Sequence, residues 1–137
     1  TPKLHLGDTG LASALLGVDA EFLIKDRAML GQLLETFVFQ ELRRQASWSD
    51  MPVQFYHFRD KDGVEVAIVL EKAGAVAGIE IKAAATVMKK DFRGLKKLRE
   101  TIGNRFAAGV VLYDGEHAAG FGEKLYAVPI RALWETM

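Results

Sequence analysis

Apolar residues along the chain follow two different periods, and the switch between them marks out its elements. Between Asp26 and Gln45 the apolar positions Leu30, Leu34, Phe37, Val38 and Leu42 recur mostly at steps of three and four, which predicts an amphipathic helix with Asp26 as its N-cap. Upstream, Lys3–Gly7 has the pattern of a short strand entering the turn Gly7-Asp8-Thr9-Gly10, with a helix over Gly10–Leu16 capped by Asp8 or Thr9. After the long helix the period shortens. Val53–Phe58 is aromatic and β-branched, Val64–Leu70 alternates and then becomes continuously apolar, and Ala77–Ala83 alternates around Ile79 and Ile81, so three strands are expected. Asp60-Lys61-Asp62-Gly63 and Glu71-Lys72-Ala73-Gly74 supply the hairpin turns between them.

The helical period returns over Met88–Ile102, with Phe92, Leu95, Leu98 and Ile102 on the buried side and Gly103-Asn104 as the stop. Phe106–Tyr113 is nearly all apolar, the pattern of a strand in a sheet covered on both faces. A short strand at Leu125–Val128 and a helical turn near Ile130–Trp134 follow. The core order is helix, three strands, helix, strand: an α/β class with a mixed central sheet flanked by helices.

Composition narrows the function. The 137 residues carry 18 Lys+Arg against 18 Asp+Glu, half of them are hydrophobic, and none is cysteine. A chain of this size buries enough surface for one core without disulfides, so a single domain over residues 1–137 is expected. The absence of cysteine excludes a disulfide scaffold, a thiolate zinc site and a thiol nucleophile. No apolar run reaches membrane-spanning length and no basic segment precedes an apolar one, so a cytoplasmic setting without membrane contact is the expectation. Zero net charge means that phosphate contact has to come from a local patch. The chain opens on Thr1 and reads as a piece of a longer protein.

The sharpest chemical signal is Ile79-Glu80-Ile81-Lys82-Ala83, because strand period two sets Glu80 and Lys82 side by side in an apolar strand. Two charges at a buried sheet are costly unless they pair or hold a metal. On spacing alone the pair reads first as a structural ion pair. Val64-Glu65-Val66-Ala67-Ile68 sets Glu65 and Ala67 on one face of the preceding strand, and Glu35 interrupts the apolar positions of the long helix. Carboxylates converging beside a lysine suit magnesium-dependent phosphodiester hydrolysis: the ion acidifies a bound water and the lysine positions it and offsets charge on the phosphate.

Lys89, Lys90, Arg93, Lys96, Lys97 and Arg99 concentrate six basic residues on one helix, a surface for phosphates or simply a solvated face. Arg59 ends an aromatic strand and reads as a phosphate or carboxylate contact, or as an ion pair with Asp60 or Glu65. His5, His57 and His117 show no ligand or triad spacing. No Gly-x-x-x-x-Gly-Lys-Ser/Thr phosphate loop is present.

Several segments carry a resemblance: Pro2–Leu11, Gly31–Leu42 with Leu34-Glu35-Thr36-Phe37-Val38, Phe58-Arg59 to Leu70, Ile79–Ala83 and Val128-Pro129-Ile130. With the element order, the chain resembles the uncharacterised C-terminal domain of prokaryotic AAA+ ATPases of the archaeal type, and the PD-(D/E)XK restriction-endonuclease-like fold with its αβββαβ core. The resemblance implies Glu35 as the helix acid, Glu80 and Lys82 as the Glu-x-Lys pair, and an aspartate at position 67, where this chain has Ala67. A methyl group cannot coordinate magnesium, so the resemblance implies a degenerate nuclease-like domain that binds nucleic acid (DNA or RNA) or protein, beside an ATPase portion of the same polypeptide.

The alternative is an active nuclease using Mg or Mn, with Glu65 replacing the missing aspartate beside Glu35 and Glu80. A third reading makes the acids and Lys82 a packed ion-pair network in a domain that serves homo-oligomer assembly.

Overall fold

The computed structural model describes residues 27–133 and divides the chain into two units, Thr1–Trp48 and Ser49–Met137. The strand expected at Lys3–Gly7, the helix at Gly10–Leu16, the Asp26 cap and the Trp134 end of the last turn lie outside the described residues.

In the first unit, helix α1 (Arg27–Ala46) occupies the segment that the three-and-four periodicity marks. Arg43 and Arg44 sit in its last turn, where cations favour the helix dipole, and the Ser47 hydroxyl closes the end on the Arg44 carbonyl at 2.6 Å. Val38 is fully buried on it, together with two polar residues, Thr36 and Glu41.

The second unit is a six-stranded mixed sheet: β1 (Val53–Arg59), β2 (Glu65–Lys72), β3 (Ala75–Lys82), β4 (Phe106–Tyr113), β5 (Ala119–Gly120) and β6 (Leu125–Pro129), in the order β1-β2-β3-β4-β6-β5. β1, β2 and β3 pair antiparallel, because short turns join them. β4 lies parallel to both β3 and β6. A parallel neighbour needs a crossover, and the segment between β3 and β4 supplies one: a 3₁₀ turn (Lys89–Phe92) and helix α2 (Arg93–Ile102).

Turn chemistry sets the hairpin registers. In the β1–β2 turn the Asp60 carboxylate accepts the Asp62 and Val64 N–H groups at 2.9 and 2.8 Å, and Gly63 takes the left-handed φ of 83° that the reversal requires. The β2–β3 turn is tighter: Ala73 and Gly74 both have positive φ, the two-residue geometry whose twist matches the flanking strands. β5, only two residues long, has no counterpart in the sequence pattern, since so short a strand has no period to detect.

α2 covers one face of the sheet. Phe92, Leu95 and Leu98, three residues apart, are buried against Val66, Val69, Val76, Phe106, Val111 and Leu125. The opposite face buries Ile68, Ile79 and Leu112. The expected helix over Met88–Ile102 is present in two parts, because its first turn winds as 3₁₀ before the α-helix proper. No helix among the described residues is long and apolar enough to cross a membrane.

Helix and sheet approach closely through glycine. A Cβ on Gly94 would stand 2.1 Å from the Glu65 carbonyl oxygen, and one on Gly78 would stand 2.7 Å from Leu95 Cδ2. The backbone oxygen cannot yield as a flexible side chain can. Gly94→Ala should therefore destabilise the protein by about 1–3 kcal/mol despite the better helix propensity of alanine, an effect that urea denaturation reads directly.

Candidate functional site

The Glu-x-Lys strand and its neighbour meet at an irregularity in the sheet. In the β1–β2 pairing Tyr56 faces Val69 while Phe58 faces Val66, so Ala67 and Ile68 together oppose His57: a β-bulge in β2. The bulge lets both Val66 and Val69 reach the core on the α2 side. It also ends the β2–β3 ladder at Ile68 and Ile79. Beyond that point the Ala67 N–H donates to Glu80 Oε1 at 2.7 Å, so a side-chain carboxylate does the work of the missing strand partner.

Lys82, two residues along the same face, reaches a partner that lies outside the sheet. Its Nζ donates to Asp91 Oδ2 at 2.6 Å, with the two side chains 27% and 19% exposed. The same oxygen accepts the Met88 N–H at 2.7 Å. Asp91 thus ties the end of β3 to the start of the crossover helix. Desolvation pushes the Asp91 carboxyl up, but the Lys82 and Met88 hydrogen bonds and the charges of Lys82 and Lys90 outweigh it and hold it below the ordinary carboxylate range.

Arg59 pairs with Glu65 at 3.4 Å where β1 and β2 begin to diverge, and both side chains are largely exposed, so the pair contributes little to stability. Glu35 lies midway along α1, half-buried, in the first unit. Among the described residues no three His, Asp or Glu side chains stand close enough together to hold a metal ion. Position 67 offers only a methyl group, one Glu80 oxygen is taken by the Ala67 N–H, and Glu65 is held by Arg59.

Lys89, Lys90, Arg93, Lys96 and Lys97 do come together. With Glu100 they form one side of an open groove of about 490 Å³, whose other side is the β1–β2 turn with Asp60, Asp62 and Val64. Steps of three and four residues put these side chains in a row along one face of the helix, while Phe92, Leu95 and Leu98 occupy the buried face. None of the five basic side chains forms a hydrogen bond or ion pair with another described residue, in contrast to Lys82, Arg105 (bound to Glu71) and Arg131 (bound to the Gly115 and Glu116 carbonyls).

Two charged residues escaped the sequence reading. Asp91 is one, although its position three residues after Met88, at the start of a helical segment, is the spacing of a carboxylate that caps a first-turn N–H. Glu41 is the other: only 3% exposed, it accepts the Arg44 guanidinium at 2.8 Å, which holds its carboxyl below the usual range against the opposing pull of burial. Its place between Val38 and Leu42 on the apolar stripe of α1, with a basic residue three positions on, was the available signal.

The model of a family described as a domain of unknown function, DUF4143, matches residues 30–133. Curated relatives include an uncharacterised protein of Mycobacterium bovis and one of Mycobacterium tuberculosis, each 28% identical over 130 residues that cover 94% of this chain. The chain spans 27% of the length of each of these relatives.

Proposed function

The chain belongs to the DUF4143 family, and we propose that it is a degenerate PD-(D/E)XK-like domain, carried in the cytoplasm by an AAA+ ATPase, that binds nucleic acid without cutting it. The row of five cations along the groove, none with a hydrogen bond or ion pair among the described residues, carries this reading. The whole molecule has no net charge, so a local concentration of unneutralised Lys and Arg is the surface from which phosphates displace counterions. The element order αβββαβ and the Glu-x-Lys strand support the nuclease-like ancestry.

Loss of cutting follows from the strand ends. Ala67 supplies no oxygen, and Lys82 is committed to Asp91. The charge that a nuclease lysine would direct at a water or phosphate is here spent on an internal ion pair.

The test combines binding and cleavage on single- and double-stranded DNA and RNA, with magnesium and with manganese. Salt-sensitive binding with no cleavage is the expected outcome. Absence of binding at low salt would leave protein interaction as the role. Metal-dependent cleavage that vanishes in Lys82→Ala would instead make the domain a working nuclease.

A further inference from the structure

We propose that the groove beside α2 takes RNA in preference to DNA, a refinement that rests on the nucleic-acid reading above. The groove is bipolar. One side carries the cationic row, while Asp62 on the opposite turn and Glu100, one helical turn beyond Lys96 and Lys97, add carboxylates. Neither of these two carboxylates has a hydrogen-bond or ion-pair partner among the described residues, so cations and acids share the groove without neutralising one another. The third acid, Asp60, is held in its own turn by Oδ1, which accepts two backbone N–H groups, while its buried Oδ2 has no hydrogen-bond partner among the described residues.

A ligand that satisfies both sides must be anionic and must also donate hydrogen bonds at short intervals. The DNA backbone fails the second condition. Its phosphate, ester and ring oxygens only accept, so against Asp62 and Glu100 it brings repulsion and no bond. RNA carries the same phosphates and adds one 2′-hydroxyl donor per nucleotide. The spacing agrees, because Lys96 and Glu100 lie one turn apart, about 5–6 Å along the helix, so phosphate on the one and ribose on the other fall within reach of neighbouring positions. Base amino groups are donors too, but RNA and DNA share them. None of the described lining residues is aromatic, so they offer no platform for stacked bases and recognition falls to the backbone.

The experiment is fluorescence anisotropy of the whole chain with labelled oligonucleotides of one sequence, as RNA and as DNA, each single-stranded and duplex. RNA should bind about three- to tenfold more tightly than DNA, the range that one or two added hydrogen bonds supply. In the double variant Asp62→Ala, Glu100→Ala the preference should disappear, through weaker RNA binding and stronger DNA binding. Both side chains are exposed, and unchanged circular dichroism melting would confirm that the fold is kept. Equal or tighter binding of DNA, or a preference that survives the double variant, would overturn the RNA assignment while leaving nucleic-acid binding intact. Absence of binding to any of the four probes would remove the nucleic-acid reading itself.

Discussion

Asp91→Ala should lower the stability of the protein by about 2 kcal/mol, because it removes a charge-assisted hydrogen bond to Lys82 and a backbone cap in one step. A fully buried pair would cost more to break; here both side chains retain some exposure, and solvent reduces the effect. Lys82→Met should cost less, about 1 kcal/mol, since Asp91 keeps the Met88 N–H. The double variant should show a coupling of about 1 kcal/mol between the two sites, measured as the departure from additivity in urea unfolding. Additive losses would mean that Lys82 and Asp91 act separately and that the lysine is not committed to this partner.

The same carboxylate sets a pH dependence. Asp91 titrates lower in the folded chain than in the unfolded one, so the folded state binds fewer protons there. Its contribution is complete above the unfolded carboxylate range near pH 4 and is lost as pH falls through the folded value. Stability of the native protein should therefore decline more steeply on acidification below about pH 4 than that of Asp91→Ala. Parallel profiles would show that the pair has no linkage to folding.

Legibility in the sequence tracked how local each determinant is. The hairpins were readable because Asp60-Lys61-Asp62-Gly63 and Ala73-Gly74 specify their turns within a few residues. The buried side of α2 was readable because Phe92, Leu95 and Leu98 repeat within one helix. The bulge in β2 was not, since it depends on how Tyr56 and Phe58 pair across the sheet, and the alternation of Val64–Leu70 gives no sign of an extra residue. The bond between Glu80 and Ala67 follows from the bulge and was hidden with it.

Lys82 shows the same limit from another side. Its partner was expected among the acids of the sheet and α1, whereas the structure supplies Asp91, nine residues on and across the loop into the crossover. Period two in a strand names the face a side chain shares, not the element that will fold against it. The basic row, by contrast, was visible as composition; its arrangement opposite an acidic turn became visible only once β1–β2 and α2 were placed.

The largest effect on binding is expected from Arg93→Glu, Lys97→Glu, two positions one turn apart in the row. If all five cations meet phosphates, the affinity for duplex should fall with salt at a logarithmic slope of about −4.5, and for single strands at about −3.5. Reversing two of the five removes their counterion release and adds repulsion, so affinity at low salt should drop by about two orders of magnitude and the slope should shrink by about two. Neither side chain has an ionic partner to lose among the described residues, so stability should stay within about 0.5 kcal/mol.

The control is Lys72→Glu beside Lys97→Glu alone. Each takes the net charge from zero to −2, but Lys72 sits at the β2–β3 turn and is not part of the groove lining. Binding governed by the overall field would respond equally to both. Binding seated in the groove requires Lys97→Glu to weaken it about tenfold while Lys72→Glu leaves it nearly unchanged. Equal losses would move the interaction from this groove to the molecule as a whole, and the site would have to be given up.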